Sequence, residues 1–272
     1  MQVLRLHHRH LPSLSKIKDN SDKKDFCYNK HMTLKISILI ASMLQVVGAA
    51  YLSVGTFENS ERVLQVFIQP AGWAFSIWGL IYILSFIYAV YQIIPKYDNK
   101  ILRATRVPAL IGFLGSIVWL YFAGMNSLSV WLTIPILFLM AGSLTFVVNA
   151  PSTRNKKEVL LSKKILLPYA AWTGIACWLN IQALLSERSV ITNDTTNLIT
   201  NGFLFICIVF FSLYFFRKAN YSLWYGGVIL WASIAVVYAN LSEESGSEVF
   251  AVLASVLGIA VVGLYIKKFK KK

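Results

Sequence analysis

The sequence predicts an all-α integral membrane protein of about eight transmembrane helices. Composition is the first ground: 57% of the 272 residues are hydrophobic and only 14% charged, with a mean hydropathy of +0.60. That excess is beyond a soluble domain. The second is segmentation. Apolar runs cover residues 34–54, 73–94, 107–123, 129–149, 165–185, 198–216, 222–241 and 249–266, each near the ~20 residues with which a helix crosses ~30 Å of hydrocarbon. The third is charge: 24 of the 26 Lys and Arg fall on one side of the alternating loops. Barrel strands would be shorter and would alternate polar with apolar, so helices are preferred.

The elements follow in chain order. Residues 1–33 form a polar, basic arm holding all four histidines, His7, His8, His10 and His31. HHRH has metal-ligand chemistry, but its Lys- and Asp-rich surroundings are those of a disordered arm. Met32 opens a stretch that looks like a natural start for a membrane protein, so residues 1–31 read as an upstream extension. The first run is longer than a signal-peptide core and is taken as retained rather than cleaved near Ala50. The next loop carries Glu58, Glu61 and Arg62. The second run opens at Pro70-Ala71-Gly72 and leads to Lys96, Lys100, Arg103 and Arg106. The third run is the shortest. Arg154, Lys156, Lys157, Lys163 and Lys164 separate the fourth from the fifth. Glu187, Arg188 and Asp194 follow the fifth, Arg217 and Lys218 the sixth, and Glu243, Glu244 and Glu248 the seventh. A basic tail, 267–272, ends the chain. Because basic loops stay inside, this alternation places both termini in the cytoplasm, and the composition suits a bacterial plasma membrane.

Several function classes are disfavoured. No run contains Asp, Glu or His, the residues from which proton relays and intramembrane metal sites are built. There is no H-E-x-x-H, G-x-S-x-G, Walker or dinucleotide glycine motif. Cys27, Cys177 and Cys207 make no C-x-x-C and suggest neither a disulfide framework nor a zinc site. The net charge of +14 reflects loop topology, so no nucleic-acid partner is expected. The chain is read as a non-enzyme with no required cofactor.

The aromatic residues are less ordinary. On a helical wheel Phe75, Trp78, Tyr82 and Phe86 share one stripe about 80° wide, while Trp73, Tyr88 and Tyr91 lie opposite, where interfacial anchors would sit. Tyr82 lies about 13 Å in from Trp73 at ~1.5 Å per residue, close to mid-bilayer, where its hydroxyl needs a partner. In the fifth run Tyr169, Trp172, Ala176 and Asn180 share a face, and Gly174 and Ala176 leave room for a backbone or a flat ligand. Helix packing and ligand binding both remain open for these residues.

PAGWAFSIWGLIY (70–82) and LPYAAWTGIACWLN (167–180) resemble the two signatures of the TspO family, also known as the translocator protein, peripheral benzodiazepine receptor or tryptophan-rich sensory protein family. Pro70, Gly72, Trp73, Phe75, Trp78 and Tyr82 match the first; Pro168, Tyr169, Ala171, Trp172, Ala176, Leu179 and Asn180 match the second. Ala71 replaces the usual second proline, and the spacing between tryptophans is one residue shorter. Ile181 and Leu185 stand where the family's sterol motif has Tyr and Arg. The resemblance covers residues 34–186 and implies a five-helix bundle, leaving 187–266 as three additional helices. It also implies a pocket for porphyrin, haem or another flat hydrophobic molecule, formed by Trp73, Trp78, Tyr82, Tyr169, Trp172, Ala176 and Asn180. A tetrapyrrole is thus the expected ligand, with a sensory or transport role. The rival reading is a secondary transporter of an uncharged metabolite. Expected partners are the lipid bilayer, the hydrophobic ligand and a second copy in a homodimer.

Overall fold

The computed structural model describes residues 32–50, 66–123, 130–187, 190–191, 193–242 and 246–270. The HHRH cluster and Cys27 lie outside the described residues, as do Glu58, Glu61 and Arg62. Nine helices are described: α1 (Met32–Ala50), α2 (Ile77–Ile93), α3 (Lys100–Ala123), α4 (Val130–Asn149), α5 (Lys156–Ser162), α6 (Leu167–Glu187), α7 (Asp194–Lys218), α8 (Leu223–Ser242) and α9 (Glu248–Lys270). Among the described residues there is no strand. All but the short α5 correspond to the eight apolar runs, and the chain is an integral, multi-pass membrane protein.

Seven of these helices, α2 counted with the 3-10 turn Gly72–Ser76 that leads into it, are long and apolar enough to span a membrane by themselves. The exception is α6, whose interior carries Thr173, Asn180 and Gln182. Its surroundings explain the difference. Residues 165–177 are buried without interruption, and α6 packs on α4, α7 and α8. A helix jacketed by other helices is not in contact with lipid, so its composition need not match hydrocarbon. Around it α3 pairs with α4, and α8 with α9.

Two features at the basic end differ from the sequence expectation. First, α3 begins at Lys100 rather than near 107, which makes the run that looked shortest a 24-residue helix and places Arg106 inside it. Arg106 is 1% exposed. Its guanidinium donates to Asp98 Oδ1 at 2.8 Å, Gln92 Oε1 at 3.2 Å and the Gln92 carbonyl at 3.3 Å. Gln92 Nε2 donates in turn to the Lys35 carbonyl at 2.8 Å, tying α1, α2 and α3 together. Second, Tyr88 and Tyr91 are buried and are not interfacial anchors. The Tyr88 hydroxyl pairs with Thr105 Oγ1 at 2.9 Å, and Tyr91 stacks on Tyr97 at 4.7 Å. The start of α3 meets Tyr88, and the 3-10 turn Pro95–Tyr97 covers Tyr91, on the face that the wheel had assigned to the membrane surface. Phe86, grouped with Trp78 by the wheel, is 40% exposed.

Burial would raise the Asp98 carboxyl, but hydrogen bonds from Arg103 and Arg106, and their charges, outweigh it and hold its pKa below the ordinary value. The Lys163 ammonium, donating to the Ala150 carbonyl, has its pKa lowered by burial. Helix ends are set locally. Asn193 and Thr196 form a reciprocal capping box at the start of α7. The tight α7–α8 turn holds Asn220 and Tyr221 at φ of 56° and 51°.

Candidate functional site

The centre of the site is Tyr169, which α6 presents into the bundle at 1% exposure. Its hydroxyl donates to the Gly112 carbonyl of α3 at 2.9 Å and lies 3.4 Å from Gln45 Oε1 of α1. One ring face stacks on Phe113 at 6.0 Å and 11°. Trp78 of α2 meets Tyr169 at 5.8 Å and 89°, and stacks on Trp119 of α3 at 5.5 Å and 28°. Tyr82, one turn beyond Trp78, lies 5.6 Å from it, and Ser116 Oγ donates to the Tyr82 hydroxyl at 3.4 Å. Four helices thus converge on one aromatic cluster in which no side chain is charged.

The polar groups of this cluster are unequally matched. The indole N–H groups of Trp78 and Trp119 and the amide Nε2 of Gln45 are buried and find no acceptor among the described residues. Each is a donor. A buried donor without an acceptor costs roughly 1–3 kcal/mol, more than a solvent-exposed one. Three donors are thus left unpaired within an otherwise apolar, aromatic surround. Among the described residues no group of His, Cys, Asp or Glu is placed to hold a metal ion.

The residues proposed from sequence separate into four groups. Trp78, Tyr82 and Tyr169 lie together in the cluster. Trp172 lies beside it, 1% exposed, with its ring edge-on to Phe75 at 5.7 Å and its own indole N–H unmatched. Ala176 and Asn180 sit further along α6, about 10 and 16 Å beyond Tyr169 at ~1.5 Å per residue, and the Asn180 amide donates to the Ala176 carbonyl at 3.0 Å. Trp73 points away. It is 41% exposed and meets Trp231 at 4.9 Å and Tyr238 at 6.1 Å, both on α8.

Trp119, Ser116, Phe113 and Gln45 complete the cluster but were not among the residues selected from sequence. A signal for the first three existed, because Phe113, Ser116 and the neighbouring Leu120 repeat at helical spacing beside Trp119. Gln45 is a lone amide in the first apolar run. What sequence could not supply is the neighbour each of these faces.

The sequence profile of the TSPO-like protein family matches residues 31–266. The matched stretch takes in both signature segments and continues through α7, α8 and α9. Neither a curated protein nor a solved structure matches the chain. With the signatures meeting in one charge-free cluster, and the profile matched along most of its length, this chain belongs to the TSPO-like protein family.

Proposed function

We propose that this protein binds a flat hydrophobic ligand of the tetrapyrrole class in the cluster of Trp78, Tyr82, Trp119 and Tyr169, and acts by binding, in sensing or transport, rather than by catalysis. The observation that carries this reading is the set of unmatched donors on Trp78, Trp119 and Gln45 within an uncharged aromatic surround. Porphyrins present a broad π face to stack on indole rings, and their carboxyl groups, protonated in a cluster without charged side chains, supply the missing acceptor oxygens. A ligand enters by parting the Trp78–Trp119 stack and taking the place of one ring against the other. The basic ends of the helices face the cytoplasm on the positive-inside rule, and the buried cluster lies within the bilayer.

The test is titration of protoporphyrin IX into protein reconstituted in nanodiscs, followed by tryptophan fluorescence. Saturable quenching that weakens in Trp78→Ala, together with poorer binding of an alkyl porphyrin lacking carboxylates, is the expected result. Absence of saturable quenching, or equal affinity in Trp78→Ala, would overturn the assignment. Saturable uptake of an unrelated uncharged solute into proteoliposomes would instead favour a secondary transporter.

A further inference from the structure

The segment before α2 is irregular backbone next to apolar helices, and its polar groups must find partners within the protein. They find them on the C-terminal helices. Ile68 N donates to Asn201 Oδ1 of α7 at 3.2 Å, and the Phe67 carbonyl accepts from Asn240 Nδ2 of α8 at 2.8 Å. Ala71 N donates to the Ala235 carbonyl of α8 at 3.1 Å. The Ala74 carbonyl, within the 3-10 turn, accepts from Trp231 Nε1 at 2.9 Å. Four bonds in eight residues of chain thus run to α7 and α8. Phe67 also stacks on Phe250 of α9 at 5.4 Å, and the Trp73 ring meets Trp231.

Trp78 lies only four residues beyond Ala74, so one short stretch joins this clamp to the aromatic cluster. We infer that α7, α8 and α9 position the first signature segment: Asn201, Asn240 and Trp231 fix the turn, and the turn fixes where Trp78 stands against Trp119 and Tyr169. The three C-terminal helices then govern the shape of the site although, in the described residues, they contribute no ring to it. Asn201 and Asn240 are themselves held. Asn201 Nδ2 donates to Asn197 Oδ1 at 2.7 Å, and Asn240 Oδ1 accepts from Ser247 N at 3.0 Å, so each amide has a fixed orientation. This inference builds on the proposed ligand site, but its central measurement needs no ligand.

The experiment uses the full chain in nanodiscs with Trp231→Phe, which keeps a ring against Trp73 and removes the donor, and Asn201→Leu, which removes the Ile68 acceptor. Asn201→Gln, which retains both the acceptor for Ile68 N and the amide donor, is the conservative rescue. Amide hydrogen exchange over residues 67–78 should accelerate about tenfold in the first two, as loss of one buried hydrogen bond allows, and should return towards wild type in Asn201→Gln. The near-ultraviolet dichroism of the stacked Trp78–Trp119 pair, taken as the difference from Trp119→Phe, should change in parallel, and protoporphyrin IX affinity should fall at least threefold. Unchanged exchange, or faster exchange with an unaltered Trp78–Trp119 signal, would overturn the inference. Loss of porphyrin binding in the wild type alone would overturn the ligand reading and leave the exchange and dichroism to decide the positioning role.

Discussion

Gly174→Ala adds one methyl group to the second signature and should destabilise the protein through a single named collision. Gly174 lies in the buried stretch of α6 and faces Phe211 of α7. A Cβ built there would lie 2.1 Å from Phe211 Cε1, 2.8 Å from Cζ and 3.1 Å from Cδ1. Ordinary carbon contacts are ~3.5–4.0 Å, so the ring must retreat by about 1.5 Å. Phe211 already leans on Phe215 at 4.7 Å, which limits its retreat along α7. Overpacking of this kind costs typically ~1–3 kcal/mol, whereas the same substitution on an open helix surface would stabilise by ~1 kcal/mol. Sign as well as size therefore tests the contact. Thermal unfolding in nanodiscs, followed by near-ultraviolet dichroism, should show a lower midpoint for Gly174→Ala and recovery in Gly174→Ala/Phe211→Leu, a coupling that only neighbours produce. A midpoint equal to or above wild type, or no recovery in the double variant, would refute the α6–α7 packing and with it the account of why this position is glycine. From sequence alone Gly174 offered room for a ligand; in the structure a phenylalanine ring fills it.

Three further outcomes are expected. Tyr169→Phe removes the hydrogen bond to the Gly112 carbonyl but keeps the ring stacked on Phe113, so unfolding should become easier by ~0.5–1.5 kcal/mol with the tryptophan dichroism retained. Trp119→Ala removes the ring stacked on Trp78 and one unmatched donor, and should weaken protoporphyrin IX binding about tenfold in the fluorescence titration, the loss of ~1.4 kcal/mol, while lowering the unfolding midpoint, since truncating a buried tryptophan costs ~3–5 kcal/mol. Asp98 has a folded pKa below its unfolded value of ~3.9, so the stability it contributes is complete above about pH 5 and is lost as pH falls through the lowered folded value. Melting curves between pH 3 and 7 should therefore flatten in Asp98→Asn, whose stability at neutral pH is lower than wild type because the buried Arg106 loses its carboxylate partner.

Much of the candidate site was legible because its two halves are contiguous in sequence. Trp78 and Tyr82 are one turn apart on α2, and Tyr169 and Trp172 lie within one turn on α6, so helical periodicity placed each pair on a common face. Trp73 shows the other case: the wheel set it opposite Trp78, and it does point away from the cluster, whereas the family signature had counted it among the pocket residues. The wheel failed for Tyr88 because α3 extends over it and for Tyr91 because Tyr97 stacks on it, and Arg106, one of the basic residues that made 100–106 look like loop, is buried in a network that includes Asp98 and Gln92. Trp119 and Gln45 went unselected since a lone aromatic or amide in an apolar run has no internal clue to its partner.

The number of long helices and the alternation of basic and acidic ends were determined by the sequence itself. Crossing hydrocarbon imposes a length and an apolar composition on each segment separately, and charge acts on each loop separately, so neither needs knowledge of the fold. Only the tertiary structure decided that α6 is the enclosed central helix, that Trp78, Trp119 and Tyr169 share one cluster, and that α7 and α8 hold the turn before α2. Those are choices of neighbour. A helix's sequence specifies directions about its own axis, while the partner in each direction is settled by packing among segments as far apart as Ile68 and Asn201.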